Sequence, residues 1–96
     1  MRTKIIEKIN FNSLRVYEHY LADRYPNGRL IPGKNISNPF LPEKQETPSF
    51  NVYKGTYGSY VFKDFATGEI GSVFTFVMKM KNTTYQNAVK IINQII

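Results

Sequence analysis

Asn38 to Met80 reads NPFLPEKQETPSFNVYKGTYGSYVFKDFATGEIGSVFTFVMKM. Two aromatic-rich segments sit at its centre, SFNVYK (Ser49 to Lys54) and SYVFKDF (Ser59 to Phe65). Both have the composition of β-strands. The four residues between them, Gly55-Thr56-Tyr57-Gly58, suit a hairpin loop whose glycines are free to take positive φ. On the first strand Phe50 and Val52 share a face, with Asn51 and Tyr53 opposite. On the second, Tyr60, Phe62 and Asp64 alternate with Val61, Lys63 and Phe65. Aromatic rings therefore fall on both faces, with Lys54 and Lys63 among them. A turn at Ala66-Thr67-Gly68 follows. Gly71-Ser72 then leads into a helix over Val73 to Lys81, with Ser72 as its cap and Val73, Phe76, Val77 and Met80 as its apolar stripe.

Working outward, Thr83-Thr84-Tyr85-Gln86 has the form of a capping box for a last helix. Tyr85, Ala88, Ile92 and Ile95 line its apolar face, widened by Val89, Ile91 and Ile96. On the N-terminal side, Pro39, Pro42 and Pro48 exclude helix and sheet interior and leave an ordered loop with Glu43-Lys44-Gln45-Glu46 at its tip. Arg29-Leu30-Ile31 and Lys34-Asn35-Ile36-Ser37 read as extended pieces around Pro32-Gly33. Leu14, Tyr17, Leu21 and Tyr25 recur at helical spacing after Asn12-Ser13, and Pro26-Asn27-Gly28 stops that helix. Residues 1–9 carry Ile5, Ile6 and Ile9 among charges and read as a short helical turn or a frayed arm. The expected fold is α+β: one domain over residues 1–96, an antiparallel sheet centred on 49–65, and three helices near 13–25, 72–81 and 84–95.

Composition narrows the function. The 96 residues include no cysteine and one histidine, His19, so disulfides and thiolate metal sites are excluded. His19 falls off the apolar stripe and reads as a surface residue. The N-terminus lacks an uninterrupted apolar run of signal-peptide type, and no stretch approaches the ~20 apolar residues of a membrane span. A cytoplasmic protein without membrane partners is the expectation. Thirteen Lys/Arg against seven Asp/Glu give +6 and a pI near 9.7, a balance that favours an anionic partner such as nucleic acid.

No nucleophile–base set and no phosphate loop is visible. Asp64 and Glu69 flank a turn without the further carboxylates that a Mg²⁺ site needs. The chemistry left is that of a binding surface, with rings to stack on unpaired bases and cations to meet phosphates. Tyr53, Lys54, Tyr57, Tyr60 and Lys63 supply both, and Arg29 and Lys34 extend the track. Phe50, Phe62 and Phe76 are assigned to the core.

The same stretch resembles the zinc-binding N-terminal domain of bacterial and phage DNA primases. In that family a Cys-Pro-Phe-His segment precedes Thr-Pro-Ser-Phe. A strand with a Cys-x-x-Cys pair, a glycine turn and a Val-x-x-Phe-Val-x-Lys helix then follow. Here stand Asn38-Pro39-Phe40-Leu41, Thr47-Pro48-Ser49-Phe50, Gly68, Gly71 and Val73 to Lys79, with Ala88-Val89 in the last helix. The resemblance covers residues 36 to 95. It implies a zinc-ribbon sheet, single-stranded DNA as partner, and a primase catalytic domain or helicase as protein partner. Primer synthesis in such enzymes belongs to a separate domain, so this chain is expected to be a non-catalytic module of a phage or mobile-element replication protein. An interaction domain that kept the fold after losing zinc and DNA contact is the alternative.

The four ligand positions of the resemblance fall on Asn38, Leu41, Asp64 and Thr67. Leucine offers no donor, and the other three do not make the closed tetrahedral site of structural zinc. A metal-free form without cofactor is expected, its lost metal energy replaced by packing around Phe40, Leu41, Phe62 and Phe65.

Overall fold

The computed structural model describes residues 2–96. Its elements are helix α1 (Arg2–Phe11), helix α2 (Ser13–Leu21), strands β1 (Phe50–Lys54), β2 (Tyr60–Asp64) and β3 (Ile70–Ser72), and helices α3 (Val73–Lys81) and α4 (Tyr85–Ile95). The fold is α+β, with a small antiparallel sheet of order β1-β2-β3. Phe50 pairs with Asp64, Val52 with Phe62 and Lys54 with Tyr60. Phe62 in turn faces Gly71. Residues 33–36 run beside the free edge of β1. The Gly33 N–H donates to the Val52 carbonyl at 2.8 Å, and Ile36 exchanges two backbone bonds with Phe50. This loop pairs donors and acceptors that an edge strand would otherwise expose.

The pleat sorts the side chains as the alternation requires. Phe50, Val52 and Phe62 are fully buried on one face, under Phe76 and Val77 of α3, Ala88 and Ile92 of α4, and Val16, Tyr17 and Leu21 of α2. Phe50 and Phe62 stack at 5.4 Å, and Tyr17 meets Phe76 at 4.7 Å. Burial of such rings dominates the folding energy of a chain this small. Gly71 is set by the same packing. A β-carbon there would lie 2.7 Å from the Phe62 ring, closer than side chains tolerate. Gly71→Ala should therefore destabilise the fold by about 1–3 kcal/mol, read from a denaturant midpoint.

Four expectations about the elements change. The N-terminal segment is a full helix, Arg2–Phe11, giving four α-helices among the described residues instead of the three expected. Ile9 is buried, and the corner between α1 and α2 is tied to the hairpin: the Tyr60 N–H donates to Ser13 Oγ at 2.8 Å and Ser59 Oγ donates to Asn10 Oδ1 at 3.1 Å. The helix expected over 13–25 ends at Leu21 and continues as two 3-10 turns, Ala22–Arg24 and Pro26–Gly28, which still bury Tyr25. The extra strand β3 forms where Ile70–Ser72 pairs with β2. The cap of α3 is Ser72, as expected, accepting from the Thr75 N–H at 3.4 Å. The cap of α4 lies one residue later than the capping-box reading: Thr84 Oγ1 accepts from the Asn87 N–H at 3.2 Å.

Candidate nucleic-acid interface

The helices cover one face of the sheet only. The other carries Asn51, Tyr53, Val61, Lys63 and Ile70, followed by Phe65 past the end of β2. Asn51 is covered by the preceding loop, its Nδ2 donating to Gly33 O at 2.8 Å and to Asn35 Oδ1 at 2.6 Å. Beyond it the face is open, with Ile70 60% and Phe65 58% exposed and Tyr53, Val61 and Lys63 half-buried outside the core cluster. The Lys63 ammonium lies over the Phe65 ring, 5.0 Å from its centre. A ring, a cation and a flat apolar floor thus share one uncovered surface.

The seven residues singled out from the sequence do not form one cluster. Tyr53 and Lys63 share the open face. Lys54 and Tyr60 pair across the strands on the opposite face, and with Tyr57 they line a cleft at the hairpin end. Tyr57 is 98% exposed, whereas Tyr60 is half-buried and packs against the core. Lys34 is exposed beside β1 and lines a separate groove with Arg24 and Lys44. Arg29 is exposed and borders neither site. Sequence reading passed over Phe65, Arg24 and Lys44. Phe65, expected in the packing that replaces zinc, instead lies on the open face, two residues after Lys63.

The four positions that the resemblance gives to zinc hold a polar clasp. Asn38 Nδ2 donates to Asp64 Oδ2, and Asn38 Oδ1 accepts from the Phe40 N–H at 2.7 Å. Asp64 Oδ1 accepts from Ser49 Oγ at 2.8 Å, from the Ala66 N–H at 2.7 Å and from the Thr67 N–H at 3.4 Å. Gln45 ties the proline-rich loop in, with Oε1 accepting from the Asn38 N–H at 2.7 Å and Nε2 donating to Ser49 Oγ at 2.9 Å. Thr67 Oγ1 accepts from the Glu69 N–H at 3.2 Å, and Leu41 is 47% exposed. Every polar side chain at the four positions is already engaged, and one position has no donor atom. The set does not fit zinc. Among the described residues no group of three His, Asp or Glu side chains is placed to hold a metal ion.

The clasp also sets the charge of Asp64. Burial pushes its carboxyl up, but the hydrogen bonds from Ser49, Ala66, Asn38 and Thr67 outweigh that and hold it below the ordinary aspartate value. Asp64 is 1% exposed, so the folded state contains a buried carboxylate kept ionised by its donors.

The packing expected in place of zinc is only partly present. Phe62 is buried, and half-buried Phe40 makes edge contacts with Phe50 and Phe62, both at 5.6 Å. Lys79 caps the Phe40 ring at 4.5 Å and pairs with Glu69. Leu41 and Phe65, by contrast, point to solvent. Phe40→Ala should accordingly cost less than the ~3–5 kcal/mol of a fully buried phenylalanine, by thermal melting.

The CHC2 zinc finger model of the DnaG zinc ribbon matches residues 33–96. A DNA primase of Clostridium acetobutylicum is 47% identical over 60 residues, which is 60% of this chain and 9% of that protein. The chain thus spans less than a tenth of the length of the relative it matches. No solved structure matches it. No helix of the described residues is long and apolar enough to cross a membrane. The matched segment contains the sheet, the glycine turn, both C-terminal helices and the clasp, and on that ground the chain belongs to the CHC2 zinc finger family, as a degenerate form that contains no cysteine.

Proposed function

We propose that this chain is a non-catalytic module that holds single-stranded DNA template in a primase-like replication protein of a phage or mobile element. Its catalytic partner, a primase domain or helicase, lies elsewhere. The observation that carries the reading is the one-sided sheet, whose open face offers Tyr53 and Phe65 for stacking and Lys63 for a phosphate. The net charge of +6 supplies the long-range attraction. Membership in a primase-type family agrees with DNA as the ligand.

Titration of labelled single-stranded DNA at two salt concentrations tests the reading. Lys63→Ala should weaken binding to every sequence and make the log-affinity against log-salt slope shallower by about 0.7, one phosphate contact. Phe65→Ala should remove stacking worth roughly 1–3 kcal/mol and leave the slope unchanged. Both residues lie outside the core cluster, so the fold should survive, as circular dichroism will report. Absence of binding by the parent protein at low salt would sink the proposal. It would favour a protein-interaction role, for which exposed Ile70 and Phe65 provide an apolar patch and for which salt would matter little.

A further inference from the structure

Among the described residues the two most exposed large apolar side chains, Tyr57 at 98% and Phe11 at 90%, are 46 residues apart in sequence yet line the same cleft. It measures about 520 Å³ and is completed by Glu7, Asn10, Lys54, Gly58, Ser59 and Tyr60. The cleft opens between the end of α1 and the hairpin loop, away from the open sheet face. Its walls are held in register by the bonds from Tyr60 to Ser13 and from Ser59 to Asn10. Gly58, at φ +90°, turns the loop that carries Tyr57.

Two solvated rings on one cleft offer π-surfaces that nothing in the core uses. Exposing both to water costs free energy that a stacked base would recover. Lys54, exposed at the rim, can meet the phosphate of that nucleotide. Glu7, also exposed, is the polar group that would choose between bases. Its carboxylate only accepts hydrogen bonds, so it fits a base edge that presents an amino group and repels a carbonyl oxygen in the same place. Asn10 Oδ1 accepts from the Ser59 hydroxyl, which leaves Nδ2 as a donor for an adjacent ring nitrogen or oxygen of the base.

We infer that the cleft between Phe11 and Tyr57 is a subsite for one unpaired base bearing an exocyclic amino group, with Glu7 as the selecting residue. The inference rests on the DNA-binding reading above and adds a second contact point and a base preference to it. Cytosine and thymine are the useful pair, because at C4 one carries an amino group and the other a carbonyl.

The experiment compares short labelled oligo-dC and oligo-dT on the parent protein and on Phe11→Ala, Tyr57→Ala and Glu7→Leu. The parent should favour oligo-dC by about fivefold or more. Phe11→Ala and Tyr57→Ala should each weaken oligo-dC binding by at least about fivefold without changing its salt slope. Glu7→Leu should abolish the preference while binding oligo-dT no worse than the parent, a pattern that general misfolding would not produce. If the ring variants bind as the parent does while Lys63→Ala and Phe65→Ala are weakened, the subsite is overturned and the sheet-face reading stands. Equal affinity of the parent for the two oligomers overturns the role of Glu7. If the parent binds neither, both readings fall.

Discussion

Asp64→Ala should cost about 3–5 kcal/mol of folding stability, a large part of the roughly 5–14 kcal/mol expected of a domain this size. The substitution strands the buried donors of Asn38 and Ser49 and frees the two turns they join. Each buried group left unpaired costs about 1–3 kcal/mol, whereas the Ala66 and Thr67 amides lie in an exposed turn where water can replace the carboxylate. Urea unfolding measures the loss, and a change below about 1 kcal/mol would show that the clasp is ornamental.

The clasp also gives stability a pH dependence of definite sign. The folded-state pKa of Asp64 is lowered, so the unfolded chain binds its proton first as pH falls. The contribution is fully present above about pH 4, the ordinary aspartate range, and is lost as pH drops through the lower folded value. The parent should therefore lose more stability between neutral pH and strongly acidic pH than Asp64→Ala does. Equal losses in the two proteins would contradict the proposed origin.

The second large effect should come from restoring the family's ligands. The fourfold variant Asn38→Cys, Leu41→His, Asp64→Cys, Thr67→Cys should take up one zinc ion, and its melting temperature should fall sharply on chelation. Asn38 and Asp64 already touch across the gap. Each of the other two positions follows its partner by three residues in a turn, through the Leu41 N–H to the Asn38 carbonyl at 3.2 Å and the Thr67 N–H to Asp64. Apparent zinc binding energies of about 10–16 kcal/mol far exceed the loss of the clasp, so the zinc form should fold even if the apo form does not. The parent's melting curve should be indifferent to chelator. A variant that stays unfolded in zinc, or folds without binding it, would show that these four positions are not the ligand positions.

Much of the fold could be read from local pattern. The alternation at Phe50 to Lys54 and Tyr60 to Asp64 selects strands and their faces. Gly55 to Gly58 sets the hairpin, and the stripe from Val73 to Met80 sets the helix behind it. These signals work because side-chain direction repeats every two residues in a strand and every 3.6 in a helix, whatever the chain does elsewhere. Absence of cysteine excludes thiolate zinc, and the positive charge favours an anionic partner.

What local pattern leaves open depends on contacts between distant residues. Nothing near Arg2 to Phe11 marks it as a stable helix. A short helix is marginal in water, and this one is held by Ile9 in the core and by its corner's bonds to Ser59 and Tyr60. A strand of three residues at Ile70 has no periodicity to detect and exists through its pairing with β2. The sequence could show that zinc ligands were missing, but not that Asn38 and Asp64, 26 residues apart, join where the metal would sit. The candidate interface divides in the same way. Residue types named Tyr53, Lys54, Tyr57, Tyr60 and Lys63, but the pleat sends alternate side chains to opposite sides, so they belong to two surfaces. Sequence determined which chemistry the chain carries. Tertiary structure decided which groups on different strands share a surface and which surface stays open, because that depends on strand register and on which face the helices cover.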